Sequence, residues 1–312
     1  AERGQPLDEA PAMTRNPHNA AARARRSAGK VMIYALLICW AFVSLFPIYW
    51  TFSTSFKTAV NVTQGHLVPW VDFMPDWKGW RSLGLSPDTI FETSTVREEF
   101  FKRFENSIIA SLCASALAVV IGACAAYGLS RFDYKFGWMK NKDISFFFLS
   151  QLILPPVVLA MPFLVLYKEL AFLDTRIGLI LLYTLMVLPI VIWIMRDQFD
   201  TIPIELEQAA MVDGCSVWGA FLRIVLPIAL PGMVAAFILS VILCWNEYFF
   251  AALLTSTNAK TLPVMVASQT GSQGISWWSM AALSAAAIAP LIVIGISLER
   301  YIVKGLTAGS VK

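Results

Sequence analysis

The sequence predicts an all-α membrane protein with six transmembrane helices and both termini cytoplasmic. Three observations lead there: little charge, apolar runs of bilayer length that recur along the chain, and a bias of lysine and arginine to one side of those runs. Of 312 residues, 57% are hydrophobic and 14% are charged, whereas soluble domains carry about 25% charge. Six runs, at about residues 31–53, 106–129, 144–167, 177–196, 233–255 and 278–300, each approach the roughly 20 residues that cross a hydrocarbon core. They are continuously apolar, without the alternation that barrel strands need.

Taken in order, residues 1–30 are rich in Ala, Pro, Asn and Arg without apolar periodicity, and predict a disordered cytoplasmic tail. The run from Val31 exceeds a signal-peptide core and lacks a small-residue cleavage exit, so it reads as a retained first helix. A transmembrane domain then covers residues 31–312, with an outer loop 54–105, a cytoplasmic loop 197–232 and a cytoplasmic tail 301–312. Arg131, Lys135, Lys140, Lys142, Arg196, Arg223, Arg300, Lys304 and Lys312 fall on the cytoplasmic side, against Lys168, Arg176 and Lys260 in the short outer loops. The basic residues of loop 54–105 do not oppose this topology, because long loops translocate largely regardless of charge.

Several function classes drop out. A net charge of +3, with no basic patch interleaved with aromatics outside the tail, excludes nucleic acid. The five cysteines form no C-x-x-C, and His18 and His66 stand alone, so neither a disulfide framework nor a metal site is expected. No phosphate-binding loop, zinc-protease, nucleophile-elbow or dinucleotide motif occurs; the chain carries no catalytic residues and no cofactor, and any ATP must bind another chain.

The cytoplasmic stretch 197–227 is too polar to span and too patterned to be slack. Pro203 suits a first helical turn, Glu205 and Glu207 lie where a helix dipole favours anions, and Gly214 suits a stop. Ser216 can cap a second helix running to Leu226, before Pro227 and Pro231 interrupt the chain. Helix, glycine turn and helix predict a protruding knob. On these residues alone, an ordinary interfacial amphipathic helix stays open.

Glu207-Gln208-Ala209-Ala210, Asp213-Gly214 and Ile224-Val225-Leu226-Pro227 resemble the E-A-A, D-G and I-x-L-P elements of bacterial ABC importer permeases, with Gln208 in place of the commoner Glu. Residues 125–132 (Ala-Ala-Tyr-Gly-Leu-Ser-Arg-Phe), Trp245-Asn246-Glu247 and Gly305–Lys312 extend the likeness toward the second permease subunit of maltose-type carbohydrate importers. The resemblance implies the type I importer permease fold in a bacterial inner membrane. It also implies a sister permease in a heterodimer, an ATPase dimer carrying ATP and Mg, an extracytoplasmic solute-binding protein, and a carbohydrate or polyol as solute. Glu207, Ala209, Ala210, Asp213, Gly214, Leu226 and Pro227 then become the ATPase coupling set, in which the small residues permit close approach and the acids can pair with bases. Gly305, Thr307, Gly309 and Lys312 become a tail contact on the ATPase.

In the outer loop before the last helix, Gln269, Gly271, Ser272 and Gln273 belong to a small polar stretch. The resemblance implies that this stretch enters the binding protein; a passive turn is the other reading. Trp277 and Trp278 read as an interfacial belt. Asn246 and Glu247 lie in an apolar span, where an acid is costly at the centre. They read equally as a gate on the solute path or as a hydrogen-bond anchor between helices, and Gln151 beside Pro155-Pro156 poses the same choice. The competing class is a self-contained secondary transporter, which needs internal repeats and midplane carboxylates of which only Glu247 is a candidate. A membrane-embedded enzyme ranks below it.

Overall fold

The computed structural model describes residues 17–92, 94–271 and 274–307, and those residues are mostly helical. Two units divide the chain after Phe52. The first holds most of α1 (Pro17–Thr54), whose most apolar 18-residue window holds no buried residue. Residues 17–30 are thus helical, correcting the disordered tail expected there; Pro17 occupies the first turn, and the Ala and Arg residues behind it are strong helix formers. Residues 1–16 lie outside the described residues.

The second unit begins with the outer loop, which folds over α2 (Ala59–Thr63) and α3 (Lys78–Arg81). It is shorter than expected, because α4 (Thr95–Arg131) starts about a dozen residues before the apolar run. A hairpin and α5 (Asn141–Ser150), a 3-10 turn at Gln151–Ile153, and α6 (Pro156–Glu169) follow. The third span, expected over 144–167, is two pieces bent by 91°. Pro155 and Pro156 supply the physical cause, since consecutive prolines remove two backbone donors and push the preceding residue to extended geometry.

Next come α7 (Arg176–Asp200), α8 (Ile204–Val212), α9 (Val217–Ala220), a π turn at Phe221–Val225, α10 (Leu226–Ile228) and α11 (Leu230–Trp245). The second helix expected from Ser216 to Leu226 is present over Val217–Ile228 with a π turn inside it, and the axis turns by 73° before α11. The fifth span, expected over 233–255, also breaks at Asn246, with α12 (Phe249–Leu254) resuming it. The structure closes with α13 (Leu262–Ala267) and α14 (Trp277–Thr307). Among the described residues, four helices are long and apolar enough to cross a membrane, and up to six spans result when each bent pair counts as one.

The bundle is built around α4 against α7, with α11 packed on both and α14 on α11. Small residues at intervals of four make the α4 seam: Ala110, Ala114, Ala118 and Ala126 are buried, as the spacing of a packing face requires. At Gly122 a Cβ would lie 2.6 Å from Cγ1 of Val191, so the two backbones approach closer than any larger residue allows.

Candidate functional site: the cytoplasmic knob and its outer counterpart

The knob forms as the turn chemistry dictates. Helix α8 ends where the Gly214 N–H reaches the Met211 carbonyl (3.0 Å) and the Cys215 N–H reaches Ala210 (2.9 Å), with Gly214 at φ +90. That paired closure needs a left-handed residue, which glycine supplies without a Cβ penalty. Oγ of Ser216 then accepts the N–H of Gly219 at 3.1 Å and starts α9.

What fixes the knob to the bundle is a buried ion pair. Arg131, at the end of α4, donates from Nε to Glu207 Oε1 at 2.6 Å. Tyr127, one turn earlier, donates its hydroxyl to Glu207 Oε2 at 2.7 Å. Arg131 also donates to the Ile202 carbonyl (2.9 Å) and to Ser130 Oγ (3.1 Å). Ser130 in turn binds Asp200. Glu207 is 3% exposed, and around this cluster the Tyr127, Phe199 and Phe221 rings pack on one another.

Two of the expected coupling residues keep their side chains inside the chain. Glu207 points inward because Arg131 is its partner within the chain, and Ala210 is buried on the same helix face. Ala209, Asp213 and Gly214 lie on the outer surface of the knob beside Gln208. Much of the remaining outward surface is apolar, beside the exposed Glu205 and Ser216: Val212 is 87% exposed, and Leu206, Met211, Val217 and Trp218 are exposed with it. Leu226 is half-buried and Pro227 exposed at the bend before α11. Tyr127 and Arg131 were legible only as part of a motif; their role depends on a partner 76 to 80 residues away.

At the opposite end a second polar cluster holds the loop 255–261. Asp174, at φ +55, accepts N–H bonds from Ser256, Thr257, Asn258 and Ala259, the shortest at 2.9 Å. Desolvation works to raise this carboxyl, but the donors from Ala259, Asn258, Ser256 and Thr257 override it and hold it well below the ordinary carboxylate range. Asn106 Nδ2 donates to the carbonyls of Asn258 (2.7 Å) and Lys260 (2.8 Å), while its Oδ1 accepts Arg176 Nε at 2.7 Å. The buried Arg103 donates to the Thr257 carbonyl at 2.6 Å.

Beside this cluster lies the helix break at Asn246. The Glu247 carboxylate accepts the N–H groups of Phe250 (2.8 Å) and Ala251 (3.1 Å), so it caps α12. Asn246 is exposed, and Trp245 donates to the Ala287 carbonyl at 3.1 Å. A recess of about 300 Å³ opens here, lined by Asn246, Tyr248 and Ser284 among others. Gln151 is exposed at the 91° break, its amide bonded to the Phe147 carbonyl at 3.2 Å.

The stretch before α14 pairs Thr270–Gly271 antiparallel with Gly274–Ile275. Ser272 and Gln273 lie outside the described residues, and Gln269 is half-buried. Trp278 carries Lys78 over its ring at 5.1 Å, while Trp277 remains exposed. The tail residues Gly309 and Lys312 lie outside the described residues; Gly305 and Thr307 fall within the backbone of α14.

Residues 118–308 match the family of binding-protein-dependent transport system inner membrane components. The trehalose transport system permease SugB of Mycobacterium tuberculosis is 33% identical, over 93% of this chain and 99% of that protein. The diacetylchitobiose uptake system permease DasC of Streptomyces coelicolor is 30% identical, over 86% and 92% respectively. A bacterial ABC transporter involved in alginate import has a chain of the same fold, with a TM-score of 0.69 at 22% identity, over 89% of this chain and 98% of that one.

Proposed function

Because this chain belongs to the binding-protein-dependent transport system inner membrane components, we propose that it is the permease through which a carbohydrate enters the cell. It works in an ABC importer with a binding protein outside and ATP hydrolysis on a separate ATPase. The finer reading is that it pairs with a sister permease to enclose the path, and that an ATPase dimer grips the knob through Gln208, Ala209, Met211, Val212, Asp213 and Gly214. The observation that carries this is the knob's construction: a turn-locked helix pair, anchored by Arg131 and Glu207, that presents exposed apolar side chains such as Val212, Met211 and Trp218. A rigid body with an apolar face transmits displacement, and exposed patches of this kind mark protein contacts.

A saccharide as solute is supported by the trehalose and diacetylchitobiose relatives and by the recess at the α11–α12 break, where Asn246, Tyr248 and Ser284 offer amide, aromatic and hydroxyl groups. Asn246 is the path residue in this reading. Glu247 shapes the break by capping α12, and Gln151 stands beside the other break. The stretch around Gly271 is the contact for the binding protein.

Reconstitution of the full importer in proteoliposomes, with its binding protein and ATPase, tests the proposal. ATP-driven uptake of a labelled disaccharide is expected, with Asn246→Ala lowering uptake about tenfold while basal ATPase activity persists; one such lost contact carries roughly 1.4 kcal/mol. If no saccharide-loaded binding protein stimulates ATP hydrolysis, the carbohydrate reading is wrong.

A further inference from the structure

The hairpin joining α4 to α5 has chemistry that transport does not use. Lys135–Phe136 pairs antiparallel with Met139–Lys140, and the register sets Lys135 opposite Lys140. Like charges placed directly opposite repel, so the pair is at its most stable with an anion beside it. Gly137 turns the chain at φ +61 and leaves Trp138 at the tip, 92% exposed, a residue suited to the membrane–water boundary. Asn141 fixes the hairpin in place, accepting the Tyr134 N–H (2.7 Å) and donating to the carbonyls of Leu129 (2.9 Å) and Phe132 (2.6 Å). The nearby Asp143 carboxylate is taken up by the Lys140 N–H at 2.9 Å.

Against this hairpin runs an apolar groove of about 740 Å³, lined by Cys124, Leu129, Ile144, Phe147 and Phe148, with Lys135 also on its wall. We propose that it holds an acyl chain of one anionic phospholipid from the cytoplasmic leaflet, whose phosphate sits between Lys135 and Lys140. The positive-inside rule puts this end of α4 on the cytoplasmic side, where anionic headgroups attract basic residues near the bilayer surface. A zwitterionic lipid fits the groove equally well but leaves the lysine pair without net compensation.

The test uses the complete importer in nanodiscs of phosphatidylglycerol and phosphatidylcholine, with a photoactivatable acyl chain on one lipid at a time. Labelling of the peptide spanning 124–148 is expected, favouring phosphatidylglycerol about tenfold, as two surface lysines provide. The pair Lys135→Glu and Lys140→Glu is expected to abolish the preference while labelling in the groove persists. Should that variant fail to assemble, competition between the two lipids on the native complex still decides the matter. Equal labelling by both lipids, or a crosslinker on Cys124 that captures the sister permease instead of lipid, overturns the proposal.

Discussion

The two ends of the helix bundle are held by opposite strategies. At the cytoplasmic end a side chain grips a side chain: Arg131 and Tyr127 converge on Glu207, nearly out of contact with water. At the outer end side chains grip backbone: Asp174, Asn106 and Arg103 hold the amides and carbonyls of residues 256–260. A carboxylate clamped by a guanidinium in a dry site fixes both position and partner, which suits a part that must move as one body. A loop held through its backbone keeps its path whatever side chains it carries, which suits a surface facing a partner.

The comparison is easiest to break at the inner end. Glu207→Ala leaves Arg131 charged and unpaired in a buried site and is expected to destabilise the permease by about 3–5 kcal/mol, read as a lower unfolding temperature of the purified complex. The double change Arg131→Met with Glu207→Leu removes both charges together and is expected to recover most of that loss. A single mutant as stable as the parent shows that the pair does not anchor the knob.

A smaller effect on stability, with a larger one on function, is expected from Gly214→Asp. A Cβ there meets nothing within 4 Å, so the change acts through left-handed strain of about 1–2 kcal/mol and through a charge placed on the outward face. The protein is expected to reach the membrane while ATP-driven uptake fails. Normal uptake removes the knob from the coupling path.

The outer end is expected to give way most gently. Asp174→Asn keeps an acceptor but loses charge assistance, and in this half-exposed loop the loss is about 1 kcal/mol after solvent screening. Amide exchange at residues 256–259 then rises by roughly fivefold, with the knob unaffected. The pH dependence follows from the depressed carboxyl: its stabilisation is complete above the ordinary Asp value of about 3.9 and fades as pH falls from there through the lower folded value. Loop protection that already fades at pH 6 contradicts the assignment to Asp174.

The same contrast explains what the sequence made legible. Six spans, their sidedness and the knob follow from apolar run lengths, the placement of lysine and arginine, and cap residues such as Ser216 and Gly214, all of them local signals. The inner clamp was half legible: Arg131 and Glu207 stood in recognisable motifs, but nothing local reveals that one is buried on the other, so Glu207 read as a surface acid. The outer clamp was not legible, because Asp174 and Asn106 bind groups that every residue possesses and that leave no pattern in the partner segment. Helix interruptions fell between these cases. Pro155-Pro156 announced a break, whereas the one at Asn246 depends on Glu247 satisfying the freed N–H groups of α12, a choice made by tertiary position.

The π turn at Phe221–Val225 closes through the Leu226 N–H to the Phe221 carbonyl. Such a turn houses one residue more than an α turn without a matching gain in length. Since each residue of an α-helix advances the azimuth by about 100°, the heading of the knob is a matter of phase, set by the number of residues between it and the buried positions Phe221 and Val225. Deleting one residue inside this segment leaves the caps at Ser216 and Gly214 intact, yet swings α8 and α9 by about 100°. The direction in which the chain addresses its neighbour is therefore quantised, and the unit of adjustment is an insertion or deletion rather than a substitution.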